Sequence, residues 1–223
     1  MAPKLITMLT YNDETVQDAL EVFTQCADLP CEFWGFKDIG LPVEKMKQLV
    51  ATMKAAGKTT FLEIVSLTEQ ECLDGARVAV DCGFDYLMGT VFYNGVFEYL
   101  KDKAIKFLPF CGKVTGHPSV VEGTIQEAVE DGKKLEQIGV DGFDLLAYRY
   151  VGDPEQLARE FIAGVDLPVV LAGSIDSFDR LDTVKELNPW AFTIGTAFFE
   201  KKFVTGASFG EQIQKVLNYL DQN

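Results

Sequence analysis

The sequence predicts an α/β protein with a single domain, residues 1–223, built as a closed (β/α)8 barrel. Eight short apolar segments of strand length begin near residues 4, 31, 58, 84, 105, 141, 168 and 191. The segments between them carry apolar residues at helical spacing. Strands that alternate with helices require a parallel sheet with right-handed crossovers, and eight such units favour closure into a barrel. An open doubly wound sheet is the alternative.

The first half of the chain contains four of these strand and helix units. Asn12-Asp13 marks the start of the first helix, Leu41-Pro42 opens the second, and Thr68 caps the third. The predicted strands are residues 4–10, 31–36, 59–65 and 86–88, and the predicted helices are residues 14–27, 41–57, 68–80 and 91–101.

The second half contains the other four units and one long loop, residues 112–123. Asp153 caps a helix whose first turn holds Pro154, and Asn188-Pro189 ends the helix after it. The predicted strands are residues 105–110, 142–147, 167–172 and 191–194. The predicted helices are residues 124–137, 177–187, 211–220 and one that begins at residue 153.

Strands seven and eight each end in a glycine followed by a hydroxyl residue. These pairs are Gly173-Ser174 and Gly195-Thr196. A glycine lets backbone N–H groups approach an anion closely, and a following helix N-terminus adds partial positive charge. The sequence therefore predicts a phosphate site at the ends of these two strands.

The same residues carry a resemblance to a known group of enzymes. Residues 172–175 (AGSI) and 194–198 (IGTAF) resemble the paired phosphate-binding strand ends of the ribulose-phosphate-binding TIM barrels. That group includes sugar-phosphate epimerases, histidine- and tryptophan-pathway isomerases, and phosphosugar decarboxylases and aldolases. The resemblance implies an isomerase, epimerase or lyase of carbohydrate metabolism, and no single member is matched.

Side-chain alternation along the strands indicates two buried carboxylates. Leu62 and Ile64 suit the helix side of strand three, which turns Glu63 into the barrel. The same argument turns Asp144 inward. An inward carboxylate is costly unless it is paired or catalytic, so both residues are candidate bases. The alternative is that they pair with Lys106 or Lys58 deeper in the barrel.

Two cations follow strands two and six. Lys37 could stabilise an enediolate, move a proton or form a Schiff base, or it could be a solvated lysine at a strand end. Arg149, between Tyr148 and Tyr150, suits a substrate carboxylate or phosphate, or it could anchor its loop to an acidic neighbour. His117 lies in the glycine-flanked long loop and is a candidate lid residue, or it is simply exposed.

Composition excludes several other functions. The net charge of −14 repels nucleic acid and anionic membranes. No apolar run reaches the roughly 18 residues of a membrane span, and the first residues lack a signal-peptide pattern, so we expect a cytoplasmic protein. Five cysteines without metal spacing and a single histidine predict no metal site.

Together these observations predict an enzyme that acts on a small phosphorylated, sugar-like metabolite by acid–base chemistry. Glu63 or Asp144 would act as base, and Lys37 and Arg149 would stabilise negative charge. We expect no cofactor, and the sequence allows a homodimer. The alternatives are a barrel that binds a phosphorylated metabolite without catalysis and an FMN-binding barrel enzyme.

Overall fold

The computed structural model describes residues 2–116 and 118–222, within which eight parallel strands form one sheet. Numbered in chain order, they are β1 Lys4–Met8, β2 Phe33–Lys37, β3 Thr59–Ile64, β4 Tyr86–Gly89, β5 Lys106–Leu108, β6 Phe143–Leu145, β7 Val169–Leu171 and β8 Ala191–Ile194. Strand β8 pairs with β1. The N–H of Asp144 donates to the carbonyl oxygen of Pro109 at 3.0 Å and joins β6 to the end of β5. The predicted barrel is therefore confirmed, and the open sheet is wrong.

Helices follow the strands along the described chain. They are α1 Ala19–Cys26, α2 Val43–Ala55, α3 Glu69–Cys82, α4 Asn94–Leu100, α5 Ile125–Ile138, α6 Pro154–Gly164, α7 Phe178–Leu187, α8 Thr196–Phe199 and α9 Phe209–Leu220. The predicted caps Thr68 and Asp153 each accept a hydrogen bond from the first turn of their helix, as does Ser177 before α7. None of the described helices is long and apolar enough to cross a membrane.

The first helix begins at Ala19, five residues after the predicted start at residue 14. Thr10–Tyr11 and Glu14–Thr15 pair as an antiparallel hairpin, here called the first hairpin. Its turn residues Asn12 and Asp13 both have positive φ, 50° and 65°. Asn and Asp tolerate this conformation better than most residues, so the pair forms a hairpin turn where the sequence suggested a helix cap.

The predicted long loop also contains a hairpin. Lys113–Thr115 pairs with Val120–Glu122. Val121 is fully buried, and its carbonyl oxygen accepts a hydrogen bond from the N–H of Val151 at 3.1 Å. This hairpin is therefore attached to the segment after β6. His117 lies outside the described residues, and its role as a lid stays a prediction.

Side chains alternate between the barrel interior and the helix layer. In β3, Leu62 and Ile64 belong to the core under the helices, and Phe61 belongs to the interior cluster. Glu63 therefore points inward, as predicted. In β6, Phe143 and Leu145 lie in the helix layer, which turns the side chain of Asp144 inward.

Aromatic residues fill the amino-terminal end of the barrel. The rings of Phe61 and Tyr86 stack with centroids 4.5 Å apart, and Trp190 lies 5.4 Å from Phe33 and 5.5 Å from Tyr86. These rings close the amino-terminal end of the barrel interior. The polar inward residues of β2 and β3 therefore lie nearer the carboxyl ends of the strands, where barrel enzymes place their active sites.

The glycine at the end of β4, Gly89, lies close to the backbone of β3. Gly89 has φ +74°, and a Cβ there would lie 2.3 Å from the carbonyl oxygen of Ile64. Gly83 has a similar φ of +79° but nothing within 4 Å of such a Cβ. We expect Gly89→Ala to lower the free energy of unfolding by about 2–5 kcal/mol and Gly83→Ala by about 1–2 kcal/mol, measured by urea denaturation. Equal losses would contradict the predicted clash.

Candidate active site

A cavity of about 300 Å³ opens at the carboxyl ends of the strands. Residues from the first hairpin, from β2 and β3, and from the segments after β6, β7 and β8 line it. Among the predicted residues, the cavity brings together Lys37, Glu63, Arg149, Gly173, Ser174, Gly195 and Thr196. Asp144 does not line it.

Lys37 is buried between two carboxylates. Its Nζ lies 2.8 Å from Asp13 Oδ1 and 3.5 Å from Glu63 Oε1, and the lysine side chain is 8% exposed. Burial alone would lower the pKa of Lys37, but the charges of Glu63 and Asp13 outweigh it and raise that pKa above its ordinary value. Lys37 is therefore a fixed ammonium group and is not a solvated lysine.

The alternative partners of the inward carboxylates lie elsewhere. Lys58 Nζ donates to the carbonyl oxygen of Leu29 at 2.8 Å, and Lys106 Nζ lies over the ring of Tyr86, 5.5 Å from its centroid. The interpretation in which either lysine pairs with Glu63 or Asp144 is wrong.

Asp13 is the site residue that sequence reasoning missed. Its Oδ1 also lies 2.8 Å from Arg149 Nη2, and its Oδ2 lies 3.4 Å from Arg149 Nη1. Burial would raise the pKa of Asp13, but hydrogen bonds and charge from Lys37 and Arg149 lower it to about 2. The signal in the sequence is the Asn-Asp pair between two short strand-forming segments, which can form a hairpin turn as readily as a helix cap.

Thr15 links the first hairpin to the backbone of Lys37 through two hydrogen bonds. Its Oγ1 accepts a hydrogen bond from the N–H of Lys37 at 2.9 Å and donates to the carbonyl oxygen of Lys37 at 2.8 Å. Thr15 is buried, and its own N–H donates to Ile39. The base of the first hairpin is therefore attached to the end of β2.

Arg149 lines the cavity. It lies in a 3₁₀ turn, Ala147–Arg149, after β6. The ring of Tyr148 instead contacts the guanidinium of Arg180 at 4.7 Å. A Cβ at Gly173 would lie 3.2 Å from Arg149 Cγ. The absence of a side chain at Gly173 thus leaves room for Arg149 beside the end of β7.

Asp144 is fully buried, and neither carboxyl oxygen has a hydrogen-bond partner among the described residues. Burial, and then the charge of Glu63, raise the pKa of Asp144 well above its ordinary value. Burial therefore favours the protonated, neutral form of Asp144. A carboxyl group that does not line the cavity is a weaker candidate base than Glu63.

The opposite side of the cavity presents backbone N–H groups. Gly173 and Ser174 have φ values of +88° and +53°, and Gly195 precedes the short helix α8. The N–H groups of these three residues donate no hydrogen bond within the described chain. Thr10 Oγ1 is buried beside the same cavity and also lacks a partner there. Unpaired donors of this kind suit an anionic ligand or ordered water.

Two carboxylates also line this side, but each has its own cation. Asp176 lies 2.9 Å from Arg180, and Glu200 lies 3.3 Å from Lys202. Across the described ranges, no group of three or more His, Cys, Asp or Glu side chains is arranged to hold a metal ion.

No family model and no curated protein matches this chain. Several solved structures do. The tryptophan synthase alpha chain from Legionella pneumophila subsp. pneumophila has a TM-score of 0.69 at 13% identity, with 99% of this chain and 92% of that chain covered. The orotidine 5'-phosphate decarboxylase from Lactobacillus acidophilus has a TM-score of 0.64 at 12% identity, with 99% and 100% covered.

The N-acetylmannosamine-6-phosphate 2-epimerase from Clostridium perfringens has a TM-score of 0.62 at 12% identity, with 96% of this chain and 92% of that chain covered. The similarity establishes the fold. These structures belong to the ribulose-phosphate-binding barrel group, so the predicted resemblance is confirmed as a likeness of fold, with no single member matched.

The raised pKa of Asp144 predicts an unusual contribution to the pH dependence of stability. Because the pKa of Asp144 is higher in the folded than in the unfolded protein, the folded protein keeps a proton that the unfolded chain releases above about pH 4. The contribution of Asp144 to wild-type stability therefore falls as the pH rises above 4, until the folded protein also releases this proton. Relative to wild type, Asp144→Asn should gain stability over that range, by up to about 1.4 kcal/mol per pH unit.

Asp85→Asn is the matched control for this measurement. Although burial would raise the pKa of Asp85, its hydrogen bonds to Lys54 and Thr60 lower it, so this carboxylate stabilises the fold once ionised. Because that pKa lies below the unfolded value of about 4, the stability that Asp85→Asn loses relative to wild type should be constant above about pH 5 and should shrink only as the pH falls below 4. Urea unfolding at several pH values measures both. A pH-independent difference for Asp144→Asn would show that this carboxyl ionises inside the fold.

Proposed function

We propose that this protein is an isomerase, epimerase or lyase that acts on a small phosphorylated, sugar-like metabolite by acid–base chemistry through an enediolate. The observation that supports the proposal best is the composition of one cavity. The buried pair of Lys37 and Glu63 lines one side, and the unpaired N–H groups of Gly173, Ser174 and Gly195 line another.

In this proposal the backbone groups bind the phosphate. The N–H groups at the ends of β7 and β8 donate to its oxygens, together with Thr196 at the start of α8. The carboxylates at the rim, Asp176 and Glu200, are each paired with a cation. Their repulsion of a phosphate is therefore reduced, and uncharged N–H donors can bind it. The bound phosphate then orients the rest of the substrate toward β2 and β3.

Glu63 is the proposed base. It removes a proton from the carbon beside the substrate carbonyl, the C–H electron pair forms the enediolate double bond, and the carbonyl oxygen becomes negative. The ammonium group of Lys37 stabilises that oxygen. Lys37 is closer to Asp13 than to Glu63, 2.8 Å against 3.5 Å. Return of the proton to another position or face completes an isomerisation or epimerisation.

Schiff-base chemistry at Lys37 is disfavoured in this arrangement. A nucleophilic amine needs a lowered pKa, whereas the charges of Glu63 and Asp13 raise the pKa of Lys37 despite its burial. Among lyase reactions, the site therefore suits those that pass through an enolate stabilised by a fixed cation.

The names of the structural neighbours support the same class. They include a 2-epimerase of a sugar 6-phosphate and a decarboxylase of a 5'-phosphate. At 12% identity these names lend support to the class of reaction and do not assign the substrate. A cytoplasmic location and a homodimer stay predictions.

Glu63→Gln tests the proposed base because it keeps the shape of the side chain and removes its proton affinity. In a screen of sugar phosphates in D2O, followed by NMR, wild type should exchange or move a substrate proton. Glu63→Gln should slow that reaction by roughly 10² to 10⁴-fold and leave ligand affinity nearly unchanged.

Glu200→Gln is the control, since Glu200 lines the same cavity at its rim and pairs with Lys202. It should keep turnover within a few-fold of wild type. Wild-type exchange by Glu63→Gln would remove Glu63 from the mechanism and return the role to Asp144. Binding without reaction for every sugar phosphate would favour the non-catalytic barrel.

A further inference from the structure

The carboxylate of Asp13 occupies the donors of both cations in the cavity. It contacts Lys37 Nζ at 2.8 Å and the two terminal nitrogens of Arg149 at 2.8 and 3.4 Å. A guanidinium fork with an ammonium beside it is a suitable binding position for a planar carboxylate. The side chain of Asp13 is 20% exposed and lines the cavity. A carboxylate of the protein thus fills a position that could bind a carboxylate of a ligand.

The tip of the first hairpin can release this contact without unfolding. Its base is attached to β2 through Thr15, as described above. At the tip, the N–H of Asn12 makes a long contact to Thr196 Oγ1, 3.3 Å, and both turn residues have the left-handed φ that L-residues rarely adopt. Rotation of the short Asp13 side chain alone would free Lys37 and Arg149.

The charges decide which ligand can take this place. Asp13 and Glu63 balance Lys37 and Arg149, so the site has no spare positive charge while Asp13 is bound. If a ligand hydroxyl took this place, a weaker acceptor would replace an ionised carboxylate, and the buried Lys37 and the partly buried Arg149 would be left poorly paired. A ligand carboxylate would replace the carboxylate of Asp13 with an equal acceptor.

We propose that Asp13 holds the place of a substrate carboxylate, so that the substrate is a phosphorylated sugar acid. Its carboxylate displaces Asp13 and binds Lys37 and Arg149, while its phosphate binds the N–H groups after β7 and β8. This inference rests on the proposed function because it uses the phosphate end of the same cavity. It also places the carbon beside the carboxylate on the side of the cavity that holds Glu63.

Calorimetric titration with matched ligands tests the proposal. 3-Phosphoglycerate and glycerol 3-phosphate differ only in a carboxylate against a hydroxymethyl group. 4-Phosphoerythronate and erythritol 4-phosphate are the same pair with one more carbon, in case the shorter pair cannot span the cavity. For each pair, the quantity compared is the ratio of the two affinities.

Asp13→Asn should raise this acid-to-alcohol ratio about 10- to 100-fold over wild type in at least one pair, because the ligand no longer displaces a bound carboxylate. Asp13→Gly should raise the ratio to the same extent. Because glycine adopts a positive φ without strain, this variant can be used if Asp13→Asn folds poorly. Asp176→Asn is the control: it removes the same charge from the cavity lining without freeing Lys37 or Arg149. Its ratio should stay within about 3-fold of wild type.

Two results would overturn the proposal, and each rules out a different part of the site. If the alcohols bind but the ratio is the same in wild type and both Asp13 variants, or rises equally in Asp176→Asn, the carboxylate position is wrong and the phosphate site stands. If none of the four ligands binds wild type or any variant, the phosphate site is wrong and this inference fails with it.

Discussion

The arrangement of the site depends on one buried cation, the ammonium group of Lys37. An ammonium that is withdrawn from water needs carboxylates around it, since an unpaired buried charge costs several kcal/mol. Glu63 supplies one from β3, and Asp13 supplies the other from the first hairpin. Arg149 then balances the second carboxylate. One desolvated charge thus fixes how β2, β3, the first hairpin and the turn after β6 meet.

The same charge balance constrains the proposed phosphate site of this acidic protein. The chain has a net charge of −14, whereas the charges of Lys37 and its three charged neighbours, Asp13, Glu63 and Arg149, sum to zero. Positive potential for a phosphate therefore has to come from dipoles, which the unpaired N–H groups after β7 and β8 provide. Burial and the nearby charge of Glu63 raise the pKa of Asp144, which favours the neutral form that adds no further negative charge to the interior.

The sequence was sufficient to predict the barrel and part of the site. Strand and helix periods depend on local residue patterns, and the alternation in β3 and β6 placed Glu63 and Asp144 correctly inside. The role of Asp13 was missed because Asn12-Asp13 is compatible with both a helix cap and a hairpin turn. What decides between them is distant in sequence: Thr15 bonds to Lys37, and Asp13 bonds to Arg149, 136 residues away. The hairpin at residues 113–122 was missed because strands of three residues carry almost no pattern.

A crystal structure with glycerol 3-phosphate would test most directly whether this cavity is a phosphate site joined to an acid–base site. We expect phosphate oxygens within about 3.2 Å of the backbone nitrogens of Gly173, Ser174 and Gly195, with the glycerol carbons directed toward Glu63 and Lys37. A phosphate bound to Lys37 and Arg149 instead, with those backbone N–H groups still unpaired, would contradict it.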